Sequence, residues 1–429
     1  MRRINIYRVL PDRERRRLLR ILGDRCAALW NLAQHRCRQA LFANDRIPSY
    51  GDLCVQLITD AAYQALPSDI AQEVLKKVAE SWKSYRQALI AFKTGRVPRK
   101  PRVPGYWKDR KTGHRLWKCI PIKCPRAYHV SAHEISIVMP ADLHHGRLIL
   151  PIRGQTRWTG KLGRAELLYD AVRRRWALHV NVVVAEPEHA PREKRWAGID
   201  PGPRMTVAVA IHNKADAALY RSRELWKDFR YWDRRIAAIQ RELAPRGLHT
   251  SRRLRRCYQQ RQVRLEAAYR ALARVVVDSL KRFRVTDVAV EDQTGIRDGL
   301  NFGRNNELIH NFWAFAKMTH ALQAACELAG IRVHPVPRTD GASSHCAVCA
   351  DGTAVTRPHR SRVRCKNGHR LHADVNAAWN LLDTSLGTTL EPEVRARAGG
   401  RPRWRTYRWN QHRWVPTESR RSADLARVA

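Results

Sequence analysis

The sequence predicts an α+β, multidomain chain, and three observations carry that reading. Apolar residues recur at helical spacing through about 12–92, then give way to short alternating runs over about 119–188. Asp200, Glu291 and Asp374 each follow an apolar or small-residue run, where a strand end or a first helical turn presents a side chain to a cleft. Just before Asp374 the chain reads Cys346-x-x-Cys349 and then Cys365-x-x-x-His369.

Taken in order, residues 4–10 alternate as a short strand that Pro11 stops. Leu18, Ile21, Leu22, Leu29, Leu32 and Ala33 make 12–43 an amphipathic helix, broken at Ile47-Pro48-Ser49. A second helix covers about 50–63. A third starts near Ser68-Asp69 with the stripe Ile70, Val74, Val78, Trp82, Tyr85, Leu89 and Phe92, expected as bundle core. The proline-rich stretch with Arg99, Lys100, Arg102, Tyr106, Trp107 and Lys108 reads as a solvated linker or as a loop that tracks phosphates and stacks bases. Trp176, Leu178, Val180, Val182 and Val184 alternate, and the short strands around them suggest a small antiparallel barrel.

After a linker at about 186–195, a strand ends at Asp200, turns at Gly202-Pro203 and returns. Residues 222–283 are helical with a break at Ala244-Pro-Arg-Gly. Their basic run, with Arg252, Arg253 and Arg256, is a solvated face or a duplex-facing surface. A buried strand leads to Glu291, 294–306 is expected as a mobile loop, 308–328 as a helix ended by Gly330, and about 374–382 as the last helix. Beyond it, Arg alternates with Trp404, Trp409 and Trp414 in a tail expected to stay disordered until it binds, with RNA as one partner.

Lys and Arg number 81 against 39 Asp and Glu, a formal net charge of +42 over 429 residues. A compact chain so charged repels itself unless a polyanion neutralises it, and nucleic acid gains counterion release on doing so. A 44% hydrophobic share and the three acids argue against a generic basic protein of the ribosomal kind. The remaining cysteines, from Cys26 to Cys326, show no disulfide spacing, which fits a reducing compartment. The N-terminus lacks a signal-like apolar core, and no run approaches the roughly 18 apolar residues of a membrane span. A soluble, cytoplasmic protein with no membrane partner is expected.

Strand–Asp, strand–Glu and helix–Asp, interleaved with a hairpin and helices, is how an RNase H-like α/β core arranges a metal site. Hard divalent cations require anionic oxygens, and a pair of them clamps the attacking and leaving oxygens of a phosphodiester without a histidine base. On this reading Asp200 bridges two Mg2+ (or Mn2+) ions, Glu291 holds one and Asp374 the other. Asp287 and Asp292 are weaker candidates. Cys346, Cys349, Cys365 and His369 fit one tetrahedral, structural Zn2+, with His345 and His372 as competing fourth donors.

Gly198-Ile-Asp200-Pro-Gly, Val290-Glu291-Asp292, the knuckle and Ala373-Asp374-Val-Asn-Ala-Ala-Trp-Asn together resemble the RuvC-type nuclease of TnpB proteins and the compact type V CRISPR effectors. Trp313-Ala-Phe, Pro98-Arg-Lys-Pro-Arg and the stretch from Cys26 to Leu32 extend the likeness. Two departures stand out: the family's ribbon ends in a second CxxC where this chain has Cys365-Lys-Asn-Gly-His369, and the step from there to Asp374 is one residue short. The resemblance implies a wedge-like β-barrel (1–11 and 114–190) interrupted by a helical recognition lobe (12–113). It further implies a RuvC-like nuclease (191–341 and 371–388) with a zinc-ribbon insertion (342–370), leaving a basic tail (389–429). It also implies a guide RNA, a double-stranded DNA target with its displaced strand, a short flanking motif, and a monomer or homodimer. Rival readings are a DNA transposase with an acidic triad and a guide-dependent DNA-binding protein with weak or no cleavage.

Overall fold

The computed structural model describes residues 1–97, 99–109, 112–123, 125–187, 193–212, 216–296, 301, 303, 306–337, 344–349, 352–386 and 403–417. The chain forms two compact units, Met1–Ala185 and Glu186–Ala429. Most of the loop expected at 294–306 lies outside the described residues.

In the first unit, β1 (Arg2–Val9) leads into α1 (Arg13–Phe42), α2 (Tyr50–Leu57), α3 (Ala61–Gln64) and α4 (Ser68–Lys93). Then come β2 (Ile120–Ile122), β3 (Tyr128–Val130), β4 (Glu134–Val138), β5 (Arg147–Arg153), β6 (Lys161–Asp170) and β7 (Arg175–Val183). Asp12 caps α1 by accepting the N–H of Arg15 at 2.8 Å, and Ser49 with Asp52 forms a capping box on α2. The strands form one antiparallel sheet in the order β2-β6-β7-β1-β5-β4-β3. Tyr128 on the β3 edge donates to the carbonyl of Gly163 on β6 at 2.7 Å, so the sheet curls toward its far side. Among the described residues β2 and β3 do not pair, so the barrel expected from the alternation is a curled half-barrel.

The helices share a core with this sheet rather than forming a lobe with a core of its own. Leu22, Cys26 and Leu29 of α1 and Val74, Val78 and Trp82 of α4 are buried with Ile120, Ala165 and Leu178 of the strands. At Gly23 an added Cβ would lie 2.6 Å from the indole of Trp117, which stacks on Trp176 at 5.1 Å. The glycine costs the helix about 1 kcal/mol and admits that ring.

The second unit contains β8 (Trp196–Asp200), β9 (Met205–Ile211), β10 (Asp216–Arg221), α5 (Arg223–Leu243), α6 (Arg252–Arg282) and β11 (Asp287–Glu291). It continues with α7 (Phe315–Leu328), β12 (Arg332–Val336), β13 (Val355–His359), β14 (Arg362–Cys365), β15 (Arg370–His372), α8 (Ala373–Leu386), β16 (Arg403–Trp409) and β17 (Trp414–Pro416). The helix expected at 308–328 is divided: a π-type turn, Glu307–Phe312, precedes α7. The main sheet is mixed, in the order β12-β11-β8-β9-β10-β16-β17, with β12, β11 and β8 parallel. One face packs on α6 and α7 through Ile199, Val209, Leu272, Val276 and Leu322. The other face is built of small residues, Ala208, Ala210 and Ala289, and packs on α8 through Ala378, Trp379 and Leu382.

Within the tail, residues 403–417 form strands rather than the expected disorder. β16 adds in parallel to β10, register Leu219 with Thr406, and β17 folds back on β16. Tyr407 stacks on Tyr220 at 4.8 Å, and the buried Trp414 donates its indole N–H to the carbonyl of Ala268 at 3.1 Å. The alternation of Arg with aromatics is that of a half-buried edge strand. Low aliphatic content masked it because aromatic rings supply the buried area.

Candidate active site

Asp200 and Glu291 end neighbouring parallel strands. Val290 pairs with Ile199 in the register of β11 on β8, so the two acids emerge side by side at the same edge of the sheet. The third acid arrives on α8, whose backbone lies directly against β8. A Cβ on Gly198 would stand 1.9 Å from the carbonyl oxygen of Ala378, so no side chain fits there. Asp374 lies one helical turn before Ala378 and shares its face of α8.

The Asp200 carboxyl feels the charge of both other acids. Burial, then the charges of Asp374 and Glu291, hold the Asp200 carboxyl well above the usual carboxylate range, and Arg357 pulls it the other way. Burial also raises Asp374, opposed by Arg357 and Arg360. Both arginines belong to the β13–β14 hairpin of the knuckle, and sequence reading did not single them out. Burial, then Arg221 and Arg362, depress His372 to about 4. Its ring accepts the backbone N–H of Asp374 at Nδ1, 3.3 Å away, which ties down the start of α8. Gln293, 4% exposed, donates to the Glu291 carboxylate and approaches the carbonyl of Pro201 at 3.5 Å. Its Oε1 is buried without a hydrogen-bond partner. Carboxylate oxygens are hard donors of the kind that Mg2+ or Mn2+ takes.

The knuckle converges on four donors. The Cys346, Cys349 and Cys365 sulfurs lie 3.7, 3.2 and 3.4 Å from Nδ1 of His369, and the Cys349 and Cys365 sulfurs are 3.9 Å apart. All four ligand atoms lie within 4.8 Å of one another. A tetrahedron with Zn–S bonds of about 2.3 Å has edges of about 3.8 Å, so the set fits zinc. His345 stands outside it, its ring 3.3 Å from the Ser344 hydroxyl. Asn376 and Asn380 of α8 both donate to the carbonyl of His345, at 2.7 and 2.8 Å, and Asn376 accepts the N–H of Ala347 at 2.9 Å. These amides clamp the first cysteine turn to the helix that carries Asp374. Their i, i+4 spacing is visible in the sequence, but their target is not.

The other candidates separate. Asp287, 1% exposed, pairs with Arg332 at 3.0 Å and His334 at 2.8 Å at the start of β11, the end away from Glu291. The Asp292 side chain accepts from the backbone N–H and hydroxyl of Thr294. Arg99, Lys100, Arg102 and Lys108 are exposed. Trp107 is a correction: 3% exposed and stacked on Trp30 at 4.5 Å, it belongs to the core and offers no platform to a base. Asn31 fixes it there, accepting its N–H at 2.7 Å. Tyr106 is half-buried, with Arg38 and Lys108 over its ring. Arg253 pairs with Glu242 at 2.7 Å, Arg252 is half-buried and Arg256 is exposed.

Residues 179–297, which take in Asp200 and Glu291, match the family OrfB_IS605, described as a probable transposase. Residues 315–381, with the knuckle and Asp374, match the TNB domain of Cas12f1-like proteins. TnpB-like protein ORF457 of Acidianus two-tailed virus is 28% identical over 421 residues, covering 91% of this chain and 88% of that protein. The chain resembles TnpB proteins and the compact type V effectors. Its fold agrees: the protein in a cryo-EM structure of a Cas12f1–sgRNA–target DNA complex superposes with a TM-score of 0.61 at 14% identity, over 86% of this chain and 83% of that one. The TnpB-like chain thus has an α+β architecture with a Cys3His cluster suited to zinc. No helix among its described residues is long and apolar enough to cross a membrane.

Proposed function

We propose that this protein is an RNA-guided DNA endonuclease with one RuvC-like site, in which Asp200, Glu291 and Asp374 hold divalent metal. The observation that carries the proposal is the meeting of β8, β11 and α8: Asp200 and Glu291 follow paired residues at the ends of neighbouring strands, and Asp374 lies on the helix packed against Gly198. Such a cluster is costly as it stands and is relieved by cations. Mg2+ or Mn2+ bound there supplies an activated water and charge stabilisation at a phosphodiester. Asp200, beside Glu291 at the strand ends, would hold the metal together with Glu291 and Asp374. His372, neutral and buried, acts on the backbone of Asp374 rather than as a base. Arg357 and Arg360 face the same acids with a charge suited to phosphate. The knuckle, with one Zn2+ on Cys346, Cys349, Cys365 and His369, holds those arginines and clamps α8.

RNA and DNA as partners are supported by the family and by a net charge of +42. A guide that reads sequence leaves the protein to hold phosphates and a short duplex motif. The test is cleavage of duplex DNA by the purified complex with Mg2+, after sequencing its copurifying RNA. Asp200→Ala is expected to lower cleavage more than about a hundredfold while DNA binding persists. Undiminished cleavage in that variant would remove the triad assignment. Cleavage that survives ribonuclease, with joining of ends, would favour a transposase.

A further inference from the structure

The first unit contains a cleft of about 530 Å3 that this chemistry leaves unused. It opens where the end of β1, the first turns of α1 and the β6–β7 hairpin meet, and it is lined by Arg8, Arg16, Arg20, Arg174, Arg175 and Trp176. No acid lines it. Two acids close along the chain are engaged elsewhere: Asp12 with Arg15 at 2.6 Å, and Asp170 with the turn N–H groups of Val172 and Arg173 and the guanidinium of Arg173. Among the described residues none of the five arginines forms an ion pair.

Two further features point to a ligand. Trp176 is 2% exposed, and its indole N–H has no hydrogen-bond partner. A buried donor left unmade costs about 1–3 kcal/mol. Arg174 holds φ at 54°, the left-handed region where glycine or asparagine is favoured, so its side chain is kept at a conformational disadvantage. The cleft therefore gathers donors and positive charge with no matching acceptor side chain. Its volume lies in the range of small-ligand sites.

We propose that this cleft binds the phosphorylated end of a nucleic-acid strand. Guanidinium forks match phosphate oxygens bidentately, and a terminal monoester carries nearly twice the charge of an internal diester. The inference needs nucleic acid as a partner but no cleavage, so it can fail while the nuclease assignment stands.

The experiment measures fluorescence anisotropy of the full-length protein with a short oligoribonucleotide bearing a 5′-phosphate, a 3′-phosphate or hydroxyls at both ends. A terminal phosphate should tighten binding roughly tenfold, the gain of a set of charge-assisted contacts. Arg174→Gly, which keeps the turn, and Arg20→Gln should each reduce that preference with no loss of melting temperature, and the pair should abolish it. Equal affinity for all three probes overturns the proposal, as does a preference that persists in the double variant. Displacement by inorganic pyrophosphate at concentrations that leave the hydroxyl probe bound assigns the site to free phosphate compounds and overturns the strand-end assignment.

Discussion

At the scale of the residue, the proposed chemistry turns on Asp200, and its raised pKa has a consequence for stability. A carboxyl whose pKa is higher folded than unfolded favours the fold fully below its ordinary value of 3.8, and that contribution is lost as pH rises through the raised value. Without divalent metal, wild type should therefore lose stability from about pH 4 upward. Asp200→Asn should remove that loss, melting about 2–4 °C above wild type at neutral pH for each kcal/mol relieved and converging with it near pH 4. Thermal melts in Mg2+-free buffer check this, and adding Mg2+ should narrow the gap. The acids were legible because each closes a short local pattern. Gln293 was not, since nothing local says that its amide turns back to Glu291 and Pro201.

At the scale of the element, α8 is placed by a glycine and two asparagines. Gly198→Ala must move the backbone at Ala378, an overpacking expected to destabilise by about 1–3 kcal/mol. It should depress cleavage more than DNA binding, because Asp374 rides on the displaced helix; urea unfolding and parallel cleavage and binding assays check both halves. In the first unit, Arg164 of β6 binds α4 through Glu73 at 2.6 Å and both oxygens of Glu80 at 2.8 Å. Glu73 is only 4% exposed on its side chain and retains Lys76 at 3.0 Å. Arg164→Met should cost about 2–3 kcal/mol, below the ~3–5 kcal/mol of a fully orphaned buried charge because Lys76 remains. Adding Glu73→Gln should restore part of that loss in denaturant melts. Helical stripes announce these elements in the sequence, whereas a salt bridge from residue 73 to residue 164 does not.

At the scale of the molecule, the Cys3His cluster joins one small hairpin to the cysteine turn that is tied to α8. Cys365→Ser should lower zinc from about one ion per chain, read by atomic absorption. It should also reduce cleavage about tenfold or more, since the hairpin carries Arg357 and Arg360 and its cysteine turn is tied to Asn376 and Asn380. DNA affinity should fall less, because the charge of +42 is spread over the chain. The tail belongs to this scale as well: β16 exists because β10 presents an open edge to it.

By itself the sequence determined the chemical inventory: oxygen donors at strand and helix ends, a Cys3His set, a polyanion-seeking charge, and helical stripes of which Leu22, Leu29, Ala33, Ile70, Val74, Val78, Trp82 and Tyr85 are buried, while Leu18, Ile21, Leu32, Leu89 and Phe92 are only half-buried. Those features are local, since period and ligand spacing act within a few turns of chain. The tertiary structure decided that the first sheet is curled but open, that Trp107 stacks in the core, that residues 403–417 become strands, and that the charges of Arg357 and Arg360 act on Asp374. Each of those depends on which distant edge or face is free to receive a segment, and that is set by packing of the whole chain, not by the segment's own pattern.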